Sequence, residues 1–205
     1  MTNINEIAKQ MVADGKGILA ADESSGTIKK RFDGINVDSS EENRMNYRRI
    51  LLESKEAMEN YISGVILFDE TIRQSNSAGE KLVDIIKKSG TLPGIKVDMG
   101  AKSLAKMQDE TVTEGLDGLR ERLQEYSELG AKFAKWRAVI SISEKNPSHL
   151  CIDANAHALA RYAALCQESE IVPIVEPEVL MDGSHSIQKC YDVTKKTLLK
   201  VFDNL

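Results

Sequence analysis

This chain of 205 residues has little cysteine, no long apolar run and no surplus of basic residues. Its three cysteines, Cys151, Cys166 and Cys190, are odd in number and do not follow a metal-site spacing, which indicates reduced thiols in a cytosolic protein. No apolar segment is long enough to span a bilayer. The first six residues also lack the charged-then-apolar order of a signal peptide. We therefore expect a cytoplasmic protein with no membrane partner.

The charge balance excludes a second class of partner. The formal net charge is -5 and the sequence pI is about 5.4, so the chain has no general basic field. Nucleic-acid binding is not expected without such a field. With 41% hydrophobic and 29% charged residues, the composition is that of one soluble globular domain spanning residues 1–205.

Apolar runs typical of buried strands alternate with helical patterns along the chain. The strands are predicted near residues 17–21, 64–68, 94–100, 131–140 and 171–179. The main helices are predicted at 4–12, 41–53, 81–88, 114–129, 147–169 and 184–205. Within the second helix, Met45, Ile50, Leu51 and Leu52 are expected to face inward. Such alternation predicts parallel β/α units with right-handed crossovers.

Two α/β architectures fit this order of elements. An open doubly wound sheet gathers its site at one switch point, and no glycine fingerprint follows the first strand here. A barrel places its ligands at the carboxyl ends of all strands. Charged residues lie at or near the carboxyl ends of all five predicted strands. Four strands supply the candidates expected to point inward, namely Asp22 and Glu23, Lys96 and Asp98, Lys135 and Arg137, and Glu176 and Glu178. This distribution favours a barrel.

The strand predicted at 131–140 carries two of these charged residues. Alternate side chains of a strand point to opposite faces, so Lys135 and Arg137 share one face while Trp136 points to the other. Unpaired buried charge is very costly. The residues are therefore at a solvent-exposed edge, in structural ion pairs, or in a site for an anion. Repetition over four strands favours a site that binds a phosphorylated anion and moves protons next to a carbonyl.

A metal site is the alternative for the carboxylates, which suit divalent cations. A catalytic zinc prefers histidines, but His149, His157 and His185 fall outside the predicted strands. We therefore expect no metal and no cofactor. Two further functions stay open: a phosphosugar isomerase or epimerase with Glu176 as base and Lys135 as electrophile, and a non-catalytic binding or assembly piece.

Several segments closely resemble the class I fructose-bisphosphate aldolases, in the order of that family and over nearly the whole chain. They are Leu19-Ala20-Ala21-Asp22-Glu23-Ser24, Glu41-Glu42-Asn43-Arg44, Gly64-Val65-Ile66-Leu67-Phe68, Gly94-Ile95-Lys96-Val97-Asp98, Phe133-Ala134-Lys135-Trp136-Arg137 and Ile171-Val172-Pro173-Ile174-Val175-Glu176-Pro177-Glu178. The resemblance implies a (β/α)8 TIM barrel. It also implies reversible cleavage of fructose 1,6-bisphosphate into dihydroxyacetone phosphate and glyceraldehyde 3-phosphate, in glycolysis, through a lysine Schiff base and without metal. Members are commonly homotetramers.

The resemblance also implies roles for individual residues. Asp22 corresponds to the aspartate that assists the C–C bond step. Lys135 corresponds to the lysine that stabilises charge near the imine carbon. Glu176 corresponds to the general acid/base, and Glu178 to its strand companion, which pairs with lysine.

Five more residues correspond to groups that bind the phosphates of the substrate. Ser24, Thr27, Lys96 and Arg137 resemble the groups around the phosphate of the aldehyde half. Thr27 stands where many members have serine and keeps the hydroxyl. Arg31 resembles a basic group near the other phosphate.

The imine-forming lysine of the family lies in a Leu-Leu-Lys-Pro motif on the sixth strand. In the similar segment here, Leu198-Leu199-Lys200-Val201, valine stands in place of the proline. The segment follows the fifth strand at the spacing of its helix, so Lys200 is expected to face solvent. A full barrel takes about 250 residues. The sequence thus predicts an incomplete barrel of about five β/α units that is inactive alone. An incomplete sequence, a fragment and a short chain completed by a partner remain alternatives.

Overall fold

A computed structural model describes residues 3–107 and 109–205. Within these residues the strands are β1 (Gly17–Ala21), β2 (Ile62–Leu67), β3 (Leu92–Lys96), β4 (Ala101–Ser103), β5 (Thr111–Thr113), β6 (Phe133–Ile140) and β7 (Val172–Val179). The helices are α1 (Ile4–Met11), α2 (Ser25–Asp33), α3 (Glu41–Leu52), α4 (Lys55–Tyr61), α5 (Asp69–Arg73), α6 (Leu82–Lys88), α7 (Leu119–Leu129), α8 (His149–Glu168) and α9 (Ile187–Asn204).

The five predicted strands form one sheet in the order β1-β2-β3-β6-β7. Strands β1, β2 and β3 pair in parallel, with Ala20 opposite Ile66 and Ile66 opposite Gly94. Val65, Leu67 and Ile95 are fully buried, as strands covered on both faces require. The order strand, helix, strand therefore produces the parallel sheet that the sequence predicts.

The chain packs as two compact units. The first contains the residues up to Lys96 together with Gln124–Ala134 and Glu170–Val172. The second contains Val97–Leu123, Lys135–Ser169 and Pro173–Leu205.

In the first unit, the ring of Phe133 lies directly over two glycines. A Cβ added to Gly64 or Gly94 would collide with ring carbons of Phe133, which is itself fully buried. Glycine is therefore required on β2 and β3 so that the aromatic ring can fill this part of the core.

In the second unit, Trp136 packs on the opposite face of its strand from Lys135 and Arg137. Its ring is fully buried and lies 5.5 Å from the ring of Tyr162 on α8. The Tyr162 hydroxyl donates to the carbonyl of Ile174 at 3.3 Å. Burial raises the pKa of Tyr162, and it raises the pKa of Cys166 to about 12, so this layer of the core carries no charge at neutral pH. The alternation predicted for this strand is confirmed.

Two details of the predicted helices are wrong. Ile50 on α3 was expected to be inward but is 67% exposed, while Arg48 on the same helix is fully buried. Helix α7 begins at Leu119, not at residue 114, because β5 pairs with β4 as an antiparallel ribbon and Gly115 and Gly118 have positive φ.

The helical position expected for Lys200 is confirmed. Lys200 lies on α9 and pairs with Asp153 of α8 at 3.0 Å, with 42% of its side chain exposed. His157 is on the exposed surface of α8. Cys151, Cys166 and Cys190 are free thiols. In the described part of the chain, none of the helices combines the length and the apolar character that crossing a bilayer requires.

The packing of Phe133 makes a prediction about stability. Gly94→Ala should lower the free energy of unfolding by about 1–3 kcal/mol, because the added methyl group overpacks a full core. Urea unfolding followed by circular dichroism measures this. Gly26→Ala is the control, since nothing lies within 4 Å of its added Cβ and alanine favours helices by up to about 1 kcal/mol. Equal midpoints for wild type and Gly94→Ala would contradict the assigned packing.

Candidate active site

A charged pair in the second unit joins two neighbouring strands. Nζ of Lys135 on β6 lies 3.4 Å from Oε2 of Glu176 on β7. The Lys135 side chain is 14% exposed and that of Glu176 is 32% exposed. A charge-assisted hydrogen bond between ammonium and carboxylate is typically about 2.7–2.9 Å long. The pair is therefore looser than a structural salt bridge.

Burial is the main influence on the protonation of Glu176. Burial raises the pKa of its carboxyl group above the ordinary 4.5, and the nearby cations Lys135 and Arg137 oppose this rise without cancelling it. A carboxyl group with a raised pKa can both donate and accept a proton closer to neutral pH. Glu176 therefore has the property expected of a general acid/base.

A second pair on the same two strands lies two residues further along. Arg137 Nε donates to Oε2 of Glu178, and the backbone N–H of Arg137 donates to Oδ2 of Asp98 at 3.3 Å. The hydrogen bond from Arg137 to Glu178 raises the pKa of the guanidinium, which keeps it cationic. The family resemblance implies a lysine partner for Glu178, whereas the structure shows Arg137 as a partner of this carboxylate.

The hydroxyl groups expected to bind phosphate lie in the first unit, at the start of α2. Ser24 caps this helix by accepting the N–H of Thr27 at 3.4 Å, and the two hydroxyl oxygens are 3.1 Å apart. Ser24 is half-buried and Thr27 is exposed. Hydroxyl and backbone N–H groups at a helix N-terminus are suited to phosphate oxygens.

The other predicted residues of the first unit lie at strand ends. Asp22 follows β1 directly, and Lys96 is the last residue of β3; both are half-buried. Arg31 on α2 forms an ion pair with Glu23, whose side chain is 8% exposed. The structure thus brings Ser24 next to Thr27 and Arg31 next to Glu23.

A cluster of charges in the first unit was not predicted from the sequence. Glu70 on α5 accepts from Nε of Arg44 at 2.9 Å and lies 3.3 Å from Nη1 of Arg48. The hydrogen bond from Arg44 lowers the pKa of Glu70 and raises that of Arg44. The four-residue spacing of Arg44 and Arg48 on one helix could have indicated a shared carboxylate partner.

No metal centre is apparent in residues 3–107 and 109–205, where no group of three or more His, Cys, Asp and Glu is placed to hold an ion.

Comparison with known proteins places these residues in a family context. A model of the class I fructose-bisphosphate aldolase family matches residues 3–205. A probable class 1 fructose-bisphosphate aldolase from Xanthomonas campestris is 60% identical over 200 residues, covering 98% of this chain and 60% of the relative. A cytosolic fructose-bisphosphate aldolase of Arabidopsis thaliana is 54% identical over 191 residues, covering 93% and 48%.

The fold has the same affiliation. The solved structure of a fructose-bisphosphate aldolase from Plasmodium falciparum, in complex with TRAP and a small-molecule inhibitor, superposes with a TM-score of 0.95 at 48% identity. The superposition covers 98% of this chain and 58% of the Plasmodium falciparum chain. The predicted fold class, an incomplete TIM barrel, is confirmed. The chain spans 60% of the length of two of the curated relatives that it matches.

The opposite environments of two glutamates predict opposite pH effects on stability. The raised pKa of Glu176 favours its protonated form in the folded chain, so the stability it contributes is present below pH 4.5 and lost as the pH rises. The lowered pKa of Glu70 favours ionisation, so its contribution is present above pH 4.5 and lost as the pH falls.

Urea unfolding at several pH values, compared with Glu176→Gln and Glu70→Gln, measures both effects. The free energy of unfolding of wild type relative to Glu176→Gln should fall between pH 4.5 and 7. Relative to Glu70→Gln it should fall instead as the pH drops from 4.5. Differences of the same sign would refute the assigned environments.

Proposed function

We propose that this chain, which belongs to the class I fructose-bisphosphate aldolases, supplies the proton-transfer and phosphate-binding groups of an enzyme that reversibly cleaves fructose 1,6-bisphosphate. The products would be dihydroxyacetone phosphate and glyceraldehyde 3-phosphate. The observation that carries the proposal is the loose pair of Lys135 and Glu176, 3.4 Å apart on neighbouring strands, in which Glu176 has a raised pKa.

Glu176 would transfer the protons of carbinolamine formation and of the substrate hydroxyl. Each requires a group that gives up and regains a proton in the same cycle, and a raised pKa makes the protonated carboxyl group more populated near neutral pH. Lys135 would stabilise negative charge near the imine carbon. Its 14% exposed side chain would make that stabilisation stronger than in water.

The remaining roles follow the family pattern. Asp22 would assist the C–C bond step and orient the substrate. Ser24, Thr27, Lys96 and Arg137 would bind the phosphate of the aldehyde half, and Arg31 the other phosphate. Arg137 is suited to this because Glu178 and Asp98 fix the orientation of its side chain and backbone while 42% of the side chain remains exposed.

The imine itself would need a lysine outside these 205 residues. Lys200, the only residue in a Leu-Leu-Lys sequence here, is on a helix and paired with Asp153. The mechanism we propose uses no metal. We further propose a cytoplasmic enzyme that acts on a phosphosugar and assembles as a homo-oligomer, as is common in the family.

The role of Glu176 is testable in a longer protein that carries this chain. Glu176→Gln should lower kcat for fructose 1,6-bisphosphate cleavage by about 10²–10⁴-fold, since a general acid/base typically contributes that much. Lys135→Met should lower kcat comparably. Lys189→Met, an exposed lysine of α9, is the matched control and should leave kcat unchanged. Unchanged kcat in Glu176→Gln would contradict the proposal, and exchange of substrate C–H protons without cleavage would favour an isomerase.

The absence of the imine-forming motif makes a prediction for the 205-residue chain itself. Incubation with dihydroxyacetone phosphate and borohydride should give no stoichiometric adduct in the intact mass, because Lys135 and Lys200 both face carboxylates. Serum albumin treated alike reports non-specific reduction. A stoichiometric adduct that maps to one lysine would show that this lysine acts as the nucleophile.

A further inference from the structure

The buried guanidinium of Arg48 contacts the loop that follows β1. Arg48 is fully buried on α3, in the first unit, and burial lowers the pKa of its guanidinium. Removing a cation from water is expensive, and replacing a buried ion pair by apolar groups often leaves stability unchanged or improved. Stability alone therefore gives a weak reason for a charged group at this position.

The contacts of Arg48 point to the loop. Its Nη2 donates to the backbone carbonyl of Glu23 at 2.7 Å. This carbonyl follows the end of β1, where the ladder to β2 has stopped at Ala21. Glu23 lies between Asp22 and Ser24, two residues to which we assign roles in the reaction. A hydrogen bond to this carbonyl therefore fixes the backbone that carries both.

The guanidinium is itself held from two sides. Oε2 of Glu70 lies 3.3 Å from Nη1 of Arg48, and the Phe68 ring centroid lies 5.7 Å from Cζ. Glu70 is in turn held by Nε of Arg44 at 2.9 Å. This chain of contacts leaves the planar guanidinium one orientation, in which its donor meets the loop carbonyl.

The side chain of Glu23 is fixed separately from its carbonyl. Arg31 forms an ion pair with Glu23 Oε1, and the Tyr47 hydroxyl donates to the same oxygen at 3.4 Å. Tyr47 and Arg48 are consecutive on α3, so one helix restrains both the backbone and the side chain of this loop residue.

We propose that Arg48 is a positioning residue: it holds the Glu23 carbonyl so that Asp22 and Ser24 keep the geometry that the reaction requires. The inference rests on the proposed function for the roles of Asp22 and Ser24. The contact with the loop carbonyl does not depend on that function. Displacement of a catalytic group by about 1 Å lowers rate by about 100-fold, so a restraint on this loop has a measurable consequence.

Amide hydrogen exchange in the 205-residue chain tests the restraint without any activity. In Arg48→Met, peptides that cover residues 18–28 should exchange about 10–100-fold faster, the range that corresponds to losing a hydrogen bond from a charged donor. Arg49→Met is the matched control, since Arg49 is the next residue on α3 and its Nε lies 3.6 Å from Glu53 Oε2. It should leave these peptides unchanged.

A second variant covers the case in which Arg48→Met does not fold. Glu70→Gln leaves Arg48 in place but removes the charge that orients it, and it should accelerate exchange in the same peptides to a smaller extent. Equal exchange at residues 18–28 in wild type and in both variants would overturn the proposal. Faster exchange throughout the first unit in both variants would also overturn it, because the cluster would then have a general structural role.

Kinetics of the longer protein separate this inference from the proposed function. Arg48→Met should lower kcat about 100-fold at a temperature where circular dichroism shows it folded, and Arg49→Met should not. A folded Arg48→Met protein with wild-type kcat and KM would overturn the positioning role. If the unmodified longer protein does not cleave fructose 1,6-bisphosphate, the proposed function fails, while local acceleration in Arg48→Met still supports the restraint.

Discussion

Buried charges require partners of opposite charge. This requirement accounts for two clusters of the chain, the pair of Lys135 and Glu176 and the group of Arg44, Arg48 and Glu70. Glu176 and Glu70 are the same residue type, and each follows or belongs to a strand of the sheet. Glu176 has one ammonium at 3.4 Å, and burial raises its pKa. Glu70 has two guanidinium groups, the nearer at 2.5 Å, and its pKa is lowered. Their different partners make the first suited to proton transfer and the second to holding structure in place.

Strand β6 shows how apolar packing on one face of a strand supports charged residues on the other. Trp136 on one face packs against Tyr162 in a layer without charge, while Lys135 and Arg137 on the other face meet the carboxylates of β7. The apolar layer stabilises the strand, and the short spacing between neighbouring strands sets the distances of the ion pairs. Side chains held on strands are positioned more rigidly than side chains on loops. Asp22, which follows a strand, has less of this support.

Much of the architecture could be predicted from the sequence because it depends on local patterns. Apolar runs identified the five strands, and alternation placed Lys135 and Arg137 on one face. The error at α3 has a physical cause: the helical pattern predicts that the apolar Ile50 is inward and gives no position for Arg48. A buried arginine requires polar partners, here Glu23 and Glu70, and helical spacing does not identify which distant residues these are. The roles of individual residues came from the family resemblance.

The charged partners of a lysine also determine which chemical role it is suited to. A nucleophilic lysine must be able to lose its proton, and enzymes favour this by desolvation or by a neighbouring cation. Lys135 instead lies 3.4 Å from the carboxylate of Glu176, and Lys200 lies on a helix 3.0 Å from Asp153. The neighbour in each of these two contacts is a carboxylate and not a second cation. The proposed mechanism therefore uses Lys135 to stabilise charge and Glu176 to transfer protons, and it gives neither lysine the role of nucleophile.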